Sequence, residues 1–121
     1  MISWPNGNPA AMTVLDGDPG ALDAGLTPLS VARTRADEAA AHRPLFTDPY
    51  SQMFVDADGS DGVPPSPWVT DYVAARTKWF DDFFLASSSA GVAQVVILGS
   101  GLDARAYRLP WLSDTVIYEV E

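Results

Sequence analysis

The chain has 121 residues, a hydrophobic share of 47% and an aromatic share of 11%, which suffices for the core of at most one domain. A net charge of −9 with only seven Lys and Arg argues against nucleic acid and against an anionic membrane surface, both of which call for a basic face. With no cysteine and a single His, disulfide frameworks, thiolate chemistry and multi-histidine zinc clusters are excluded.

No apolar run approaches the length of a membrane span. Met1 to Ala32 holds no Lys or Arg and no continuous apolar core, so it does not read as a signal peptide. The expectation is a soluble, cytoplasmic protein. Residues 1–26 carry Pro5, Gly7, Pro9, Gly17, Pro19, Gly20 and Gly25 among small and acidic residues, and read as a flexible arm.

Residues 27–92 read as a helical region. Thr27-Pro28 supplies a hydroxyl cap followed by proline at the first helical position, starting a helix that should run to about His42, before Pro44. Leu29, Ala32, Ala36, Ala39 and Ala40 form its thin apolar stripe, and Arg33, Arg35, Asp37 and Glu38 are expected on a solvated face. Asp48-Pro49 repeats the cap-then-proline pattern and starts a short helix through Tyr50, Met53 and Phe54. Asp56 to Gly62 alternates Asp with Gly and reads as a loop. It lacks the spacing and closing Glu of an EF-hand, so no metal is assigned to it.

Ser66-Pro67 opens the longest helix, Pro67 to about Ser87, with Gly91 as its stop. Val69, Tyr72, Val73, Phe80, Phe83 and Phe84 recur at helical spacing and predict its core face. Arg76 falls in line with that face. A buried guanidinium needs a carboxylate, and Asp81, Asp82 or another acid could supply it.

Residues 93–121 read as a β-α-β unit. Gln94 to Leu98 is a short, uncharged, β-branched run suited to a strand buried on both faces of a parallel sheet. Gly99-Ser100-Gly101 then forces a sharp turn open to close approach. Leu102 to Tyr107 has helical character and Leu109-Pro110-Trp111 ends it. Thr115 to Val120 is a second strand, ending on Glu121. An acid about 20 residues beyond the first glycine is the arrangement in which a carboxylate accepts ribose hydroxyls. The third glycine of the dinucleotide fingerprint is missing, and Asp103 near the helix start would oppose a pyrophosphate. A phosphate-free nucleoside such as S-adenosylmethionine fits better than NAD(P).

The run Val95 to Trp111, containing Gly99-Ser100-Gly101-Leu102-Asp103-Ala104-Arg105-Ala106-Tyr107-Arg108-Leu109-Pro110-Trp111, together with Tyr118-Glu119-Val120-Glu121, resembles the leucine carboxyl methyltransferase-like family. The match is to its S-adenosylmethionine-dependent methyltransferases of mycobacteria and related actinobacteria, and it extends back to about Leu26. Arg35-Ala36-x-Glu38 is similar to the family's R-A-x-E element beside the cofactor, which makes Arg35 a candidate site residue. Leu45 to Tyr50 is similar to its D-P-Y element, with a packing role. Arg76-Thr77-x-x-Phe80-Asp81-Asp82 is similar to its R-T-x-x-F-D-D element, whose Arg holds the carboxylate of the cofactor's methionine end.

The resemblance therefore implies an α/β fold, the N-terminal portion of a Rossmann-like class I methyltransferase sheet. It implies S-adenosyl-L-methionine as cofactor, bound by Arg76, Gly99, Gly101, Glu121 and Arg35, and methyl transfer to a carboxylate or hydroxyl of a small molecule. At the position of Glu121 the family more often has Asp; Glu keeps the charge on a longer arm. Family members continue well past the second strand into the elements that build the acceptor site. The expectation is thus a truncated chain, self-associating through its exposed sheet edge and not catalytic alone. A non-catalytic interaction fragment and a piece of an NAD(P)-dependent oxidoreductase are the alternatives.

Overall fold

The structure, a computed structural model, describes residues 26–59 and 65–121. The arm expected at residues 1–26 lies, but for Leu26, outside the described residues, as does most of the expected Asp/Gly loop.

Helix α1 (Pro28–Ala39) starts as expected: Thr27 Oγ1 accepts the Ser30 N–H at 3.1 Å. It ends short of the predicted His42. The Ala41 N–H turns back to Glu38 O at 3.0 Å, and the Glu38 carboxylate accepts the Leu45 N–H at 2.8 Å, which draws the chain off the helix axis. Helix α2 (Pro49–Asp58) is capped by Asp48. Its Oδ1 accepts from Tyr50 N and Ser51 N, and its Oδ2 from the Ser51 hydroxyl at 2.6 Å. Asp56 and Asp58, expected in a loop, form the last turn of α2, which stops at Gly59 in the left-handed conformation, φ 64°.

Helix α3 (Pro67–Ser89) ends where Gly91 takes φ 95° and the Val92 N–H returns to Ser87 O. The Ser66 hydroxyl makes no capping bond. The side of α3 packed inward carries Val69, Val73, Ala74, Thr77, Asp81 and Ser88. Tyr72 and Phe83, expected in the core, face out at 48% and 38% exposure. Because α3 is apolar around much of its circumference, periodicity alone could not say which side the core would claim. Helix α1 is the hub, packing on both α2 and α3.

Strands β1 (Gln94–Leu98) and β2 (Val116–Val120) pair in parallel, from Gln94 opposite Val116 to Leu98 opposite Val120. Between them lies α4 (Arg105–Arg108), one turn long, which starts later than the Leu102 predicted because the backbone first turns at Gly101 and Leu102. Burial along β1 alternates: Val95 and Ile97 are buried, Val96 and Leu98 exposed. The expectation of a strand covered on both faces is therefore not met among the described residues. The helices cover one face, and Val96, Leu98, Val116, Tyr118 and Val120 lie open on the other.

Candidate functional site: a glycine turn braced from behind

Gly99 and Gly101 take φ 59° and φ 50°, a left-handed backbone that other residues rarely adopt. Among the described residues a Cβ on Gly99 would meet nothing within 4 Å, so they leave the outer side of the turn open. On Gly101 it would touch only Pro28, 3.6 Å away at the start of α1. The parallel ladder continues into this turn, the Gly99 N–H donating to Val120 O at 2.6 Å. That bond sets Glu121 beside the glycines, and the Ser100 hydroxyl donates to Glu121 Oε1 at 2.8 Å. The second carboxylate oxygen of Glu121 makes no hydrogen bond among the described residues. Sequence reasoning passed over Ser100; the available signal was a hydroxyl between two glycines, within reach of an acid closing the next strand.

The inner side of the turn is held by charge. Arg35, 7% exposed, donates from Nη1 to Leu102 O at 3.0 Å and lies 3.9 Å from Asp103 Oδ2. Burial pushes the Arg35 guanidinium below its usual pKa; Asp103 opposes that shift and Arg105 adds to it. Arg105 in turn bonds Asp103 and, through Nε at 2.8 Å, Asp81. Arg108 takes both oxygens of Asp81, at 2.7 and 2.8 Å, and its Nε lies 3.6 Å from Asp48 Oδ2. Three arginines and three aspartates thus alternate through the interior, tying α1, the α2 cap and α3 to the turn and α4. The Trp111 indole N–H closes the arrangement on Arg105 O at 3.0 Å, with its ring against Phe84.

This network redraws several expected roles. Arg35 sits behind the turn instead of on a solvated face. Asp48, in the segment expected only to pack, caps α2 and faces Arg108. Asp81 is committed to Arg105 and Arg108, and Asp82 pairs with Lys78, so neither serves Arg76. Arg76 is not the buried, paired arginine expected: it is exposed, its guanidinium lies 5.3 Å from the Phe80 ring centroid, and it has no ion pair among the described residues.

Asp103 also differs from expectation. Its carboxylate is turned inward and accepts the Arg105 N–H at 2.9 Å, while its own N–H donates to Ser100 O at 2.8 Å. The N–H groups of Asp103 and Arg105 are therefore already taken, and α4 is too short to present a helix terminus to a phosphate. A shallow cleft of about 480 Å³ lies between α1, α2 and α4, lined by Thr47, Asp48, Tyr50, Tyr107 and Arg108. Its charged groups belong to the network.

A parallel β-α-β unit with a glycine turn beside an acid at the tip of the second strand is the opening of a Rossmann-like, nucleoside-binding sheet. The profile of the family described as leucine carboxyl methyltransferase matches residues 28–121, and the chain belongs to that family. It is 57% identical over 117 residues, covering 91% of this chain and 46% of the relative, to a Mycolicibacterium gilvum protein named "Putative S-adenosyl-L-methionine-dependent methyltransferase". A protein of the same name in Mycobacterium tuberculosis is 44% identical over 118 residues, covering 80% of this chain and 37% of the relative. One in Mycobacterium sp. strain MCS is 43% identical over 104 residues, covering 79% and 43%. The chain spans less than half the length of these curated relatives.

Proposed function

We propose that this chain carries the cofactor side of an S-adenosyl-L-methionine-dependent methyltransferase that methylates a carboxylate or hydroxyl of a small molecule. The observation that carries the reading is the Gly99–Gly101 turn, open on its outer side and joined to Glu121 through Ser100. The residues present suit an adenosine with no phosphate. Among the described residues Glu121 has a free carboxylate oxygen for a ribose diol, Gly99 leaves room for close approach, and Arg76, with no ion pair, is a cation for the carboxylate of an amino-acid end. Arg35 contributes from behind, through Leu102 O, by fixing the turn.

When bound, the cofactor supplies an electrophilic methyl group on a sulfonium. The protein's part is to orient that group and exclude water while an acceptor approaches in line. Glu121 and Arg76 would fix the two ends of the ligand, and the turn its depth. The inward-turned Asp103, its N–H and that of Arg105 already bonded, and the one-turn α4 weigh against a dinucleotide.

Calorimetry with S-adenosylmethionine and with NAD separates the readings. Binding of the former alone, weakened about tenfold or more by Glu121→Gln and by Arg76→Gln, is expected from the loss of one charge-assisted contact each. Preference for NAD, or indifference to both substitutions, would overturn the proposal.

A further inference from the structure

Arg76 is exposed and has no ion pair among the described residues, yet it is not without a contact. Its guanidinium carbon lies 5.3 Å from the centroid of the Phe80 ring, one turn further along α3. The same ring lies 5.6 Å from a second guanidinium, that of the buried Arg105. Phe80 thus stands between the charge network behind the turn and the cation given above to the ligand.

The ring is itself held. Trp79 meets it edge-on, with centroids 4.9 Å apart and planes at 86°, and Phe84 stacks with it at 6.2 Å. Phe84 in turn packs on Trp111, whose indole N–H is bonded to Arg105 O. A ring fixed in this way offers the negative face of its π-system in a constant direction, and that face attracts a cation.

We propose that Phe80 is the positioning residue for Arg76, holding its guanidinium ready for the carboxylate of the ligand's amino-acid end. The inference rests on the cofactor reading above. An arginine held by nothing would lose the freedom of its long side chain on binding, and that loss subtracts from affinity. A carboxylate partner would remove the loss but would also cancel the charge and occupy the donors. A ring restrains the guanidinium without doing either, so its planar fork stays available to both oxygens of a carboxylate. Asp81 and Asp82, engaged with Arg105, Arg108 and Lys78, leave Arg76 in that state. Phe80 acts through Arg76 and makes no contact with the ligand itself.

Calorimetry of the full chain with two ligands tests the proposal, with circular dichroism confirming that each variant is folded. S-adenosylhomocysteine keeps the amino-acid end; 5′-methylthioadenosine keeps the nucleoside and the thioether without it. Phe80→Leu should weaken S-adenosylhomocysteine about two- to fivefold, the loss of one exposed cation–ring contact, and leave 5′-methylthioadenosine unchanged. In the Arg76→Gln background Phe80→Leu should have no further effect. Phe80→Tyr, which keeps the ring, should bind both ligands as the parent does. Should Phe80→Leu not fold, a fluorinated phenylalanine at position 80, which keeps the shape and drains the ring face, should give the same selective loss. Equal weakening of both ligands, the same loss in the Arg76→Gln background, or no loss where Arg76→Gln alone causes one would each overturn the role of Phe80. A parent that binds neither ligand, or an Arg76→Gln variant that keeps the parent's preference, would overturn the reading of the site, and this inference with it.

Discussion

The two sides of the glycine turn are built in opposite ways. Behind it, six charged side chains from α1, the α2 cap, α3, the turn and α4 are buried and bound to one another. In front, two glycines, one hydroxyl and one carboxylate face open space. The rear fixes geometry at the expense of desolvating ions, which is tolerable only while every charge has a partner. The front is left without side chains where close approach is needed. Substitutions behind the turn should therefore be read in stability, and substitutions in front of it in binding.

The sharpest break comes from Asp81→Ala. It leaves Arg105 and Arg108 buried without their shared acid, and should destabilise the chain by about 3–5 kcal/mol in urea unfolding followed by circular dichroism. Asp82→Ala, one residue along, removes only a surface pair and should change stability by about 0–1 kcal/mol. Equal effects would erase the contrast between inside and outside.

Arg35→Met should come next, at about 1–3 kcal/mol, since it strands Leu102 O and removes one cation from Asp103. Gly101→Ala has space for its methyl against Pro28 but not the backbone conformation, and should cost about 1–2 kcal/mol. Ser100→Ala sharpens the comparison from the other side. Its unfolding free energy should stay within about 0.5 kcal/mol of the parent, as for an exposed position. Cofactor affinity should meanwhile fall severalfold, because the Glu121 carboxylate loses its anchor.

The smallest effect is spectroscopic. The Tyr107 hydroxyl donates to Glu119 at 3.1 Å, and that hydrogen bond, followed by the repulsion between the two negative charges, raises the phenol pKa above its usual value. The neutral phenol is the bonded form, so the contact is present below the ordinary phenol range and is lost as pH rises through the elevated pKa. In an ultraviolet titration, Glu119→Gln should return one of the four tyrosines toward normal behaviour, with no measurable change in fold.

What the sequence disclosed was what is encoded locally. Thr27 and Asp48 cap the helices they precede, Gly91 ends α3, and the β-branched run with its two glycines gives strand and turn, because each depends on neighbours a few residues away. What it concealed was long-range. Asp81 lies 24 and 27 residues from its two arginines, and Arg35 lies 67 from Leu102. No periodicity says which acid a buried guanidinium will meet. The error over Arg76 followed directly, since a helix apolar on several sides offers more than one plausible core. Tyr72 and Phe83 were assigned to the wrong one.

The interior network takes three of the seven basic residues and three of the sixteen acids, so it is neutral as a whole. The entire −9 therefore resides elsewhere on the polypeptide, an unbalanced anionic field thinly offset by the remaining cations. Such a field draws positively charged solutes inward and repels anions, with a reach that shrinks as ionic strength rises. Encounter with a sulfonium-bearing ligand would accordingly be fastest in dilute buffer and slow as salt is added.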